Sequence, residues 1–135
     1  MEIGELLNKS VLTIGPVSTL ADAARAMVER RVGSAVVLND DGRPAIITER
    51  DLMRAFASDR DLDALTVEDY MTPDAITASP AWDVIDAAEC MKDGGFRHLI
   101  VMSETGTIAG VLSMRDLVVA LLDRVTDKAS ARGNT

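Results

Sequence analysis

The chain has 135 residues, of which 47% are hydrophobic and only 3% aromatic, so it can form one domain, or two small halves, with an aliphatic core. Its formal net charge of −8 argues against a nucleic-acid partner, because an acidic surface repels a polyanion. A single cysteine predicts a protein without an intrachain disulfide. The N-terminus has no basic segment followed by an apolar run, and no apolar run approaches the roughly 18 residues of a membrane span. We therefore expect a cytoplasmic protein without a membrane contact.

The first half of the chain predicts the order strand, helix, strand, strand, helix. The extended segment VLTI, which contains Thr13, comes first. A helix capped by Ser18 or Thr19 follows, because apolar residues then recur at helical spacing. These apolar residues are Leu20, Ala23, Ala24, Met27 and Val28. The strands AVVL and AIIT come next, joined by the turn NDDG, and the last helix starts at T-E-R-D, residues 48–51.

The second half repeats this plan. Residues 3–42 match residues 67–106 with a shift of 64, and beyond the turn glycine the shift becomes 65. The extended segment AITA, which contains Thr77, precedes a helix that is capped by Asp83 and ended by two glycines. The strands HLIVM and IAGVL flank the turn SETG, and the last helix starts at S-M-R-D, residues 113–116.

This repetition predicts an α/β protein of the α+β type, made of two pseudo-twofold-related β-α-β-β-α repeats. We place the first repeat at residues 1–60 and the second at residues 61–125, because the polar stretch SDRDLDAL lies at their boundary. Residues 126–135 have no apolar period and are expected to form a flexible C-terminal tail. Neither half is large enough to be stable alone, so each is expected to bury a face against the other.

Each half starts its last helix with a four-residue box. A hydroxyl followed three residues later by an acid is close to a capping box, and a single such box is best explained as a helix cap. However, Arg50 and Arg115 place a cation in the first turn of the helix, where the helix dipole disfavours it. A bound phosphate would reverse that effect, and a carboxylate can accept both hydroxyls of a ribose. The repeated box therefore fits either two caps or two ribose-phosphate sites.

These boxes, together with the hairpins before them, resemble those of the cystathionine beta-synthase (CBS) domain pair. The residues that carry the resemblance are Ala45-Ile46-Ile47-Thr48-Glu49-Arg50-Asp51-Leu52 and Gly110-Val111-Leu112-Ser113-Met114-Arg115-Asp116-Leu117. The D-A-A helices, the segments GSAVVLNDDG and RHLIVMSETG, and VEDYMTPDAIT before the second copy support it. The resemblance implies a regulatory module whose repeats pack through their sheets. It also implies binding of AMP, ADP, ATP or S-adenosylmethionine in two clefts.

The resemblance further implies roles for individual residues. In one cleft Ser113 would approach the phosphate and Asp116 would hold the ribose, with Thr48 and Asp51 as their counterparts in the other. Further candidates would supply positive charge or contact the base: Arg50, Arg115, Thr13, Thr77, Arg97 and His98. The box arginines would bind phosphate, and the two threonines lie where the family packs its base. The neighbouring Arg97 and His98 would either face the phosphate or be a surface arginine and a half-exposed strand residue.

The first copy departs from the family pattern. Ala45 stands where the pattern has glycine, and the hairpin is one residue shorter than in the second copy. A Cβ atom and a shortened strand would narrow the first cleft, so we expect the second cleft to be the better site.

Two functions fit these residues. The first is a non-catalytic sensor that binds an adenine nucleotide or S-adenosylmethionine as a regulatory ligand, needs no cofactor, forms a homodimer and controls a partner protein. The alternative is a ligand-independent interaction or dimerisation module whose boxes are only helix caps. An enzyme is not expected, because one histidine and one cysteine offer no catalytic pair and no metal-binding spacing is present. No metal site is therefore predicted.

Overall fold

A computed structural model describes residues 1–7 and 11–133 of the chain, with side chains through residue 126. In chain order the elements are a 3-10 turn (Ile3–Leu6), β1 (Thr13–Ile14), α1 (Leu20–Arg30), β2 (Ser34–Leu38), β3 (Pro44–Thr48), α2 (Glu49–Ala57), α3 (Val67–Tyr70), β4 (Thr77–Ala78), α4 (Val84–Gly94), β5 (His98–Met102), β6 (Ile108–Ser113) and α5 (Met114–Gly133). The predicted β-α-β-β-α order is confirmed in both repeats. The 3-10 turn and α3 were not predicted, since each is only four residues long.

The chain forms two compact units that exchange a segment. The first unit is Ser10–Ile76, and the second combines Met1–Lys9 with Thr77–Thr135. In the first unit the Val67 N–H donates to the Ser18 carbonyl at 2.8 Å, and in the second the Ile3 N–H donates to the Trp82 carbonyl at the same distance. Both pairs occupy equivalent positions of the repeat. The short helical turn at the start of each sequence repeat therefore packs with the strands and helices of the other repeat.

The first unit has a three-stranded sheet in the order β1-β2-β3. β1 is parallel to β2, and β2 pairs antiparallel with β3, with Ser34 opposite Thr48. Alternate strand residues such as Val37 and Ile47 join α1 in one buried apolar cluster. The predicted stripe of α1 is narrower than expected, because Val28 is 78% exposed.

The second unit has the equivalent sheet, in the order β4-β5-β6. Its register runs regularly from His98 opposite Ser113 to Val101 opposite Gly110, and then shifts so that Met102 faces Ile108. Ala109 is thus the extra residue of a β-bulge. This extra residue explains why the spacing between equivalent residues of the two repeats changes from 64 to 65.

The predicted turns and caps are confirmed at several positions. Gly42 and Gly106 end the hairpin turns with φ angles of 76° and 83°, which favour glycine. Thr19 caps α1 by accepting from the Asp22 N–H at 3.1 Å. Asp83 caps α4 by accepting from the Ile85 N–H at 3.1 Å, and this hydrogen bond lowers the pKa of Asp83. Gly95 ends α4 in the left-handed region at φ 71°, as predicted, and the equivalent Arg31 adopts φ 57°.

The last helix extends beyond the second repeat as the sequence bounded it. α5 continues to Gly133, into the stretch 126–135 that was expected to form a flexible C-terminal tail. The flexibility of that stretch stays a prediction. Within the part of the chain that is described, no helix is long and apolar enough to cross a membrane.

Candidate functional site

The first box, Thr48–Asp51, lies where β3 passes directly into α2. Thr48 and Asp51 form a capping box. Asp51 Oδ2 accepts from the Thr48 N–H at 2.9 Å and from the Thr48 hydroxyl at 3.2 Å. Asp51 Oδ1 accepts from Arg54 Nη2 at 2.8 Å. Asp51 is only 6% exposed, so this carboxylate is buried and both of its oxygens are already bonded.

The second box, Ser113–Asp116, lies where β6 passes into α5. Asp116 Oδ2 accepts from the Ser113 N–H at 3.0 Å, and the Asp116 N–H donates to Ser113 Oγ at 3.1 Å. Asp116 is exposed, in contrast to Asp51. Val119 occupies the repeat position of Arg54, so no arginine at that position can bind Asp116 Oδ1. The hydrogen bond that Arg54 donates to Asp51 Oδ1 therefore has no arginine counterpart in the second box.

Both boxes offer the chemistry of an anion site. The N–H groups of a first helical turn point out of the helix, and the dipole makes that end positive. Arg50 and Arg115 lie on those first turns with exposed side chains. A carboxylate, a hydroxyl and a guanidinium thus share one helical turn in each unit. That set can bind a ribose and a phosphate together.

The surroundings of the two boxes differ in charge. In the first unit the Glu49 N–H donates to the Gly33 carbonyl at 3.0 Å, and a Cβ atom built on Gly33 would lie 3.2 Å from Glu49 Oε1. In the second unit the equivalent bond joins the Met114 N–H to the Arg97 carbonyl at 2.8 Å. An acid beside a glycine in one unit is thus replaced by a methionine beside an exposed arginine in the other. The second box is the more favourable of the two for an anion.

The structure brings together most of the predicted site residues of each unit. His98 lies opposite Ser113 in the sheet, and Arg97 contacts the start of α5 through its carbonyl. Thr13 and Thr77 are exposed on β1 and β4, the strands at the opposite edge of each sheet. They pair with β2 and β5, and therefore lie two strands from the box of their own unit.

One residue of the first box was missed in the sequence. Arg54 was not identified, although an acid and a base three residues apart on a helix are the signal for such a pair. The expectation that Ala45 narrows a cleft stays a prediction. The Ala45 methyl group lies fully buried in the apolar cluster of its own unit, while a Cβ on the equivalent Gly110 would lie 3.2 Å from the Leu7 side chain.

The comparison with known families decides the identity of these boxes. The profile of the CBS domain matches residues 3–58 and residues 67–123. The chain belongs to the CBS domain family. Both matched segments contain one box each, so the two boxes are the equivalent elements of two CBS repeats.

Relatives of known sequence support this assignment. An uncharacterized 17.7 kDa protein of Acidianus ambivalens is 41% identical over 123 residues, which are 90% of this chain and 74% of the relative. The chain spans smaller shares, 61% and 42%, of two longer relatives from Methanopyrus kandleri and Methanocaldococcus jannaschii.

Solved structures of CBS proteins share the fold. A CBS domain protein from Pyrobaculum aerophilum, complexed with AMP, is 33% identical, covers 93% of this chain and 99% of its own, and superposes with a TM-score of 0.80. A CBS-domain containing protein from Agrobacterium tumefaciens is 31% identical over 89% of this chain and 98% of its own, with a TM-score of 0.77. The predicted α+β architecture of two three-stranded sheets with helices is confirmed.

Proposed function

We propose that the chain is a non-catalytic regulatory module that binds an adenosine-containing ligand at the second box. CBS domain proteins are regulatory modules. The observation that carries the proposal is the exposed Asp116 beside Ser113 and Arg115 at the start of α5, with Arg97 next to that turn. The carboxylate would accept the ribose hydroxyls, and the N–H groups, hydroxyl and arginines would bind the phosphate.

Two observations support this choice of ligand: the polar groups of the second box and the complex of a relative. The structure from Pyrobaculum aerophilum is described as complexed with AMP, and it spans nearly the same length as this chain. AMP combines a ribose and a single phosphate, the two groups that the second box can bind. ADP, ATP and S-adenosylmethionine share the ribose and are the other candidates.

Isothermal titration calorimetry tests this proposal. The wild type is expected to bind AMP, ATP or S-adenosylmethionine, and Asp116→Asn is expected to weaken that binding by about 10- to 100-fold, because a hydrogen bond to a charged group is lost. Asp86→Asn, an exposed acid on α4, is the matched control and should bind as the wild type does. The absence of binding by the wild type to all three compounds would contradict the proposal.

A second candidate function, assembly independent of ligand, is favoured by exposed apolar side chains. Met53 and Phe56 on α2 are 71% and 75% exposed, and Leu122 and Val125 on α5 are 60% and 64% exposed. Large apolar side chains at helical spacing on a surface are typical of contacts with a partner. A homodimer formed through these helices is the simplest such assembly.

The assembly is tested by sedimentation equilibrium. We expect the wild type to be a dimer and Phe56→Glu and Leu122→Glu to shift it towards monomer. Val17→Glu is the control, because Val17 is 74% exposed outside both helices. If the glutamate variants on α2 and α5 sediment as the wild type does, another surface mediates assembly. A dimer that forms without ligand and binds none of the three adenosine compounds would favour the second candidate.

The remaining expectations belong to the same proposal. We place the module in the cytoplasm, with a regulated protein as its partner and no catalytic activity of its own. In the described part of the chain no three His, Cys, Asp or Glu side chains lie close enough to hold a metal ion. Turnover of a nucleotide by the pure protein, abolished by Asp116→Asn, would contradict the non-catalytic role.

A further inference from the structure

We infer that Arg54 occupies the ribose-binding carboxylate of the first box and so limits the chain to one adenosine ligand. The inference rests on the proposed function, since it concerns which of two related boxes accepts the ligand. It assigns to Arg54 the role of a residue that determines where the ligand binds.

The contact that carries the inference is the ion pair on α2. Arg54 Nη2 lies 2.8 Å from Asp51 Oδ1, while Asp51 Oδ2 is held by the N–H and hydroxyl of Thr48. A ribose diol needs carboxylate oxygens that can accept two new hydrogen bonds. The Asp51 side chain is 9% exposed and the Arg54 side chain 64% exposed, so the arginine is the solvent-exposed partner of a nearly buried carboxylate. A ligand would have to displace the guanidinium before its ribose could bind.

The second box lacks this competitor. Asp116 stands three residues before Val119, as Asp51 stands three residues before Arg54. Val119 is apolar and 51% exposed, and it has no group that can donate a hydrogen bond to a carboxylate. In both repeats a strand leads into the helix, and the acid accepts from the N–H of the residue that precedes the helix. The Thr48 hydroxyl also donates to Asp51 Oδ2, but only Arg54 bonds the other oxygen, Oδ1.

The charges around the two boxes also favour ligand binding at the second box over the first. Glu49 lies beside Gly33 in the first box and adds a second acid near the site where a phosphate would bind. The equivalent residues of the second box are Met114 and Arg97, which remove a negative charge and add a positive one. Removal of Arg54 is nevertheless expected to gain more than removal of Glu49, since only Arg54 is bonded to the acid that would hold the ribose.

A reciprocal exchange of the two residues tests the inference by calorimetry with AMP. The wild type should bind one AMP per chain. Arg54→Val should bind two, with the gained site removed again when Asp51→Asn is added. Val119→Arg should weaken the site of the wild type by about 10- to 100-fold, the effect of one charge-assisted hydrogen bond. Both positions are exposed, so each variant is expected to fold, as checked by circular dichroism. Arg54→Met, which keeps a long side chain without a nitrogen donor, is a second variant that should also gain the site.

Each other outcome separates the inference from the proposed function. Two equal sites in the wild type, or an unchanged single site in both Arg54→Val and Arg54→Met, would overturn the inference and leave the proposed function intact. Loss of the single site in Arg54→Val would show that Arg54 itself binds the ligand, and would also overturn it. If neither the wild type nor any variant binds AMP, ATP or S-adenosylmethionine, the proposed function fails and the inference fails with it.

Discussion

Replacement of Asp51 by alanine is expected to destabilise the protein more than replacement of Asp116, although the two acids hold the same position of the repeat. Asp51 accepts hydrogen bonds at 2.8, 2.9 and 3.2 Å and is buried. Its loss removes hydrogen bonds to a charged group, which contribute about 1.5–3 kcal/mol. The ion pair with Arg54 adds at most about 1 kcal/mol, because that arginine is largely exposed and screened. We expect Asp51→Ala to lower the free energy of unfolding by about 2–3 kcal/mol.

The loss at Asp116 should be smaller. This acid is exposed and acts only as the acidic partner of a cap, a role that contributes about 1 kcal/mol. The two alanine variants should therefore differ by about 1–2 kcal/mol in the free energy of unfolding, the difference between these two estimates. Asp116 can therefore exchange its hydrogen bonds for those of a ligand with little loss of folding stability.

Urea unfolding followed by circular dichroism measures this difference. A double-mutant cycle of Asp51→Ala with Arg54→Val isolates the ion pair and should give a coupling of about 0.5–1 kcal/mol. Equal losses at the two acids, or a larger loss at Asp116, would refute the unequal bonding of the two boxes.

Three further predictions concern the fold. Arg31→Gly should raise the free energy of unfolding by about 0.5–1 kcal/mol, because relief of left-handed strain exceeds the entropy cost of glycine. Gly95→Ala should lower it, and a lower free energy of unfolding for Arg31→Gly in urea would contradict the reasoning. Ile3→Ala should lower the free energy of unfolding, measured in urea, by about 2–4 kcal/mol, since Ile3 is 0% exposed in the core of the second unit. A loss below about 1 kcal/mol would argue against the packing of the N-terminal segment in that unit. Asp83→Ala should lower the melting temperature at neutral pH. The hydrogen bond from the Ile85 N–H lowers the folded-state pKa of Asp83, so the cap stabilises fully above the unfolded pKa near 3.9 and is lost as pH falls through the folded pKa. The melting temperatures of the variant and the wild type should therefore converge in acid. A difference that does not change with pH would contradict this prediction.

Local features of this fold could be predicted from the sequence. The caps Thr19 and Asp83 and the turn glycines depend on hydrogen bonds and dihedral angles within four residues of each position. The same holds for both boxes, whose acid and hydroxyl are three residues apart. Pattern and spacing therefore carried most of the information about where the strands and helices begin and end.

Features that depend on distant partners could not be predicted. The hydrogen bond from Ile3 to Trp82 spans most of the chain, and nothing in either short segment shows which repeat it will join. The extra residue of the second hairpin was visible as a change of spacing, but its place at Ala109 follows from strand register. The burial of Asp51 and exposure of Asp116 likewise depend on packing, so the sequence showed two similar boxes where the structure shows unequal ones.

Native mass spectrometry tests the central claim, that the second box binds an adenosine ligand, most directly. The protein is sprayed after purification without added nucleotide and again after addition of AMP, beside Asp116→Asn. We predict a species heavier than the bare chain by one AMP per chain in the wild type, and its strong reduction in Asp116→Asn. Equal AMP occupancy of the wild type and Asp116→Asn, or no adduct of AMP, ATP or S-adenosylmethionine on the wild type, would contradict the claim.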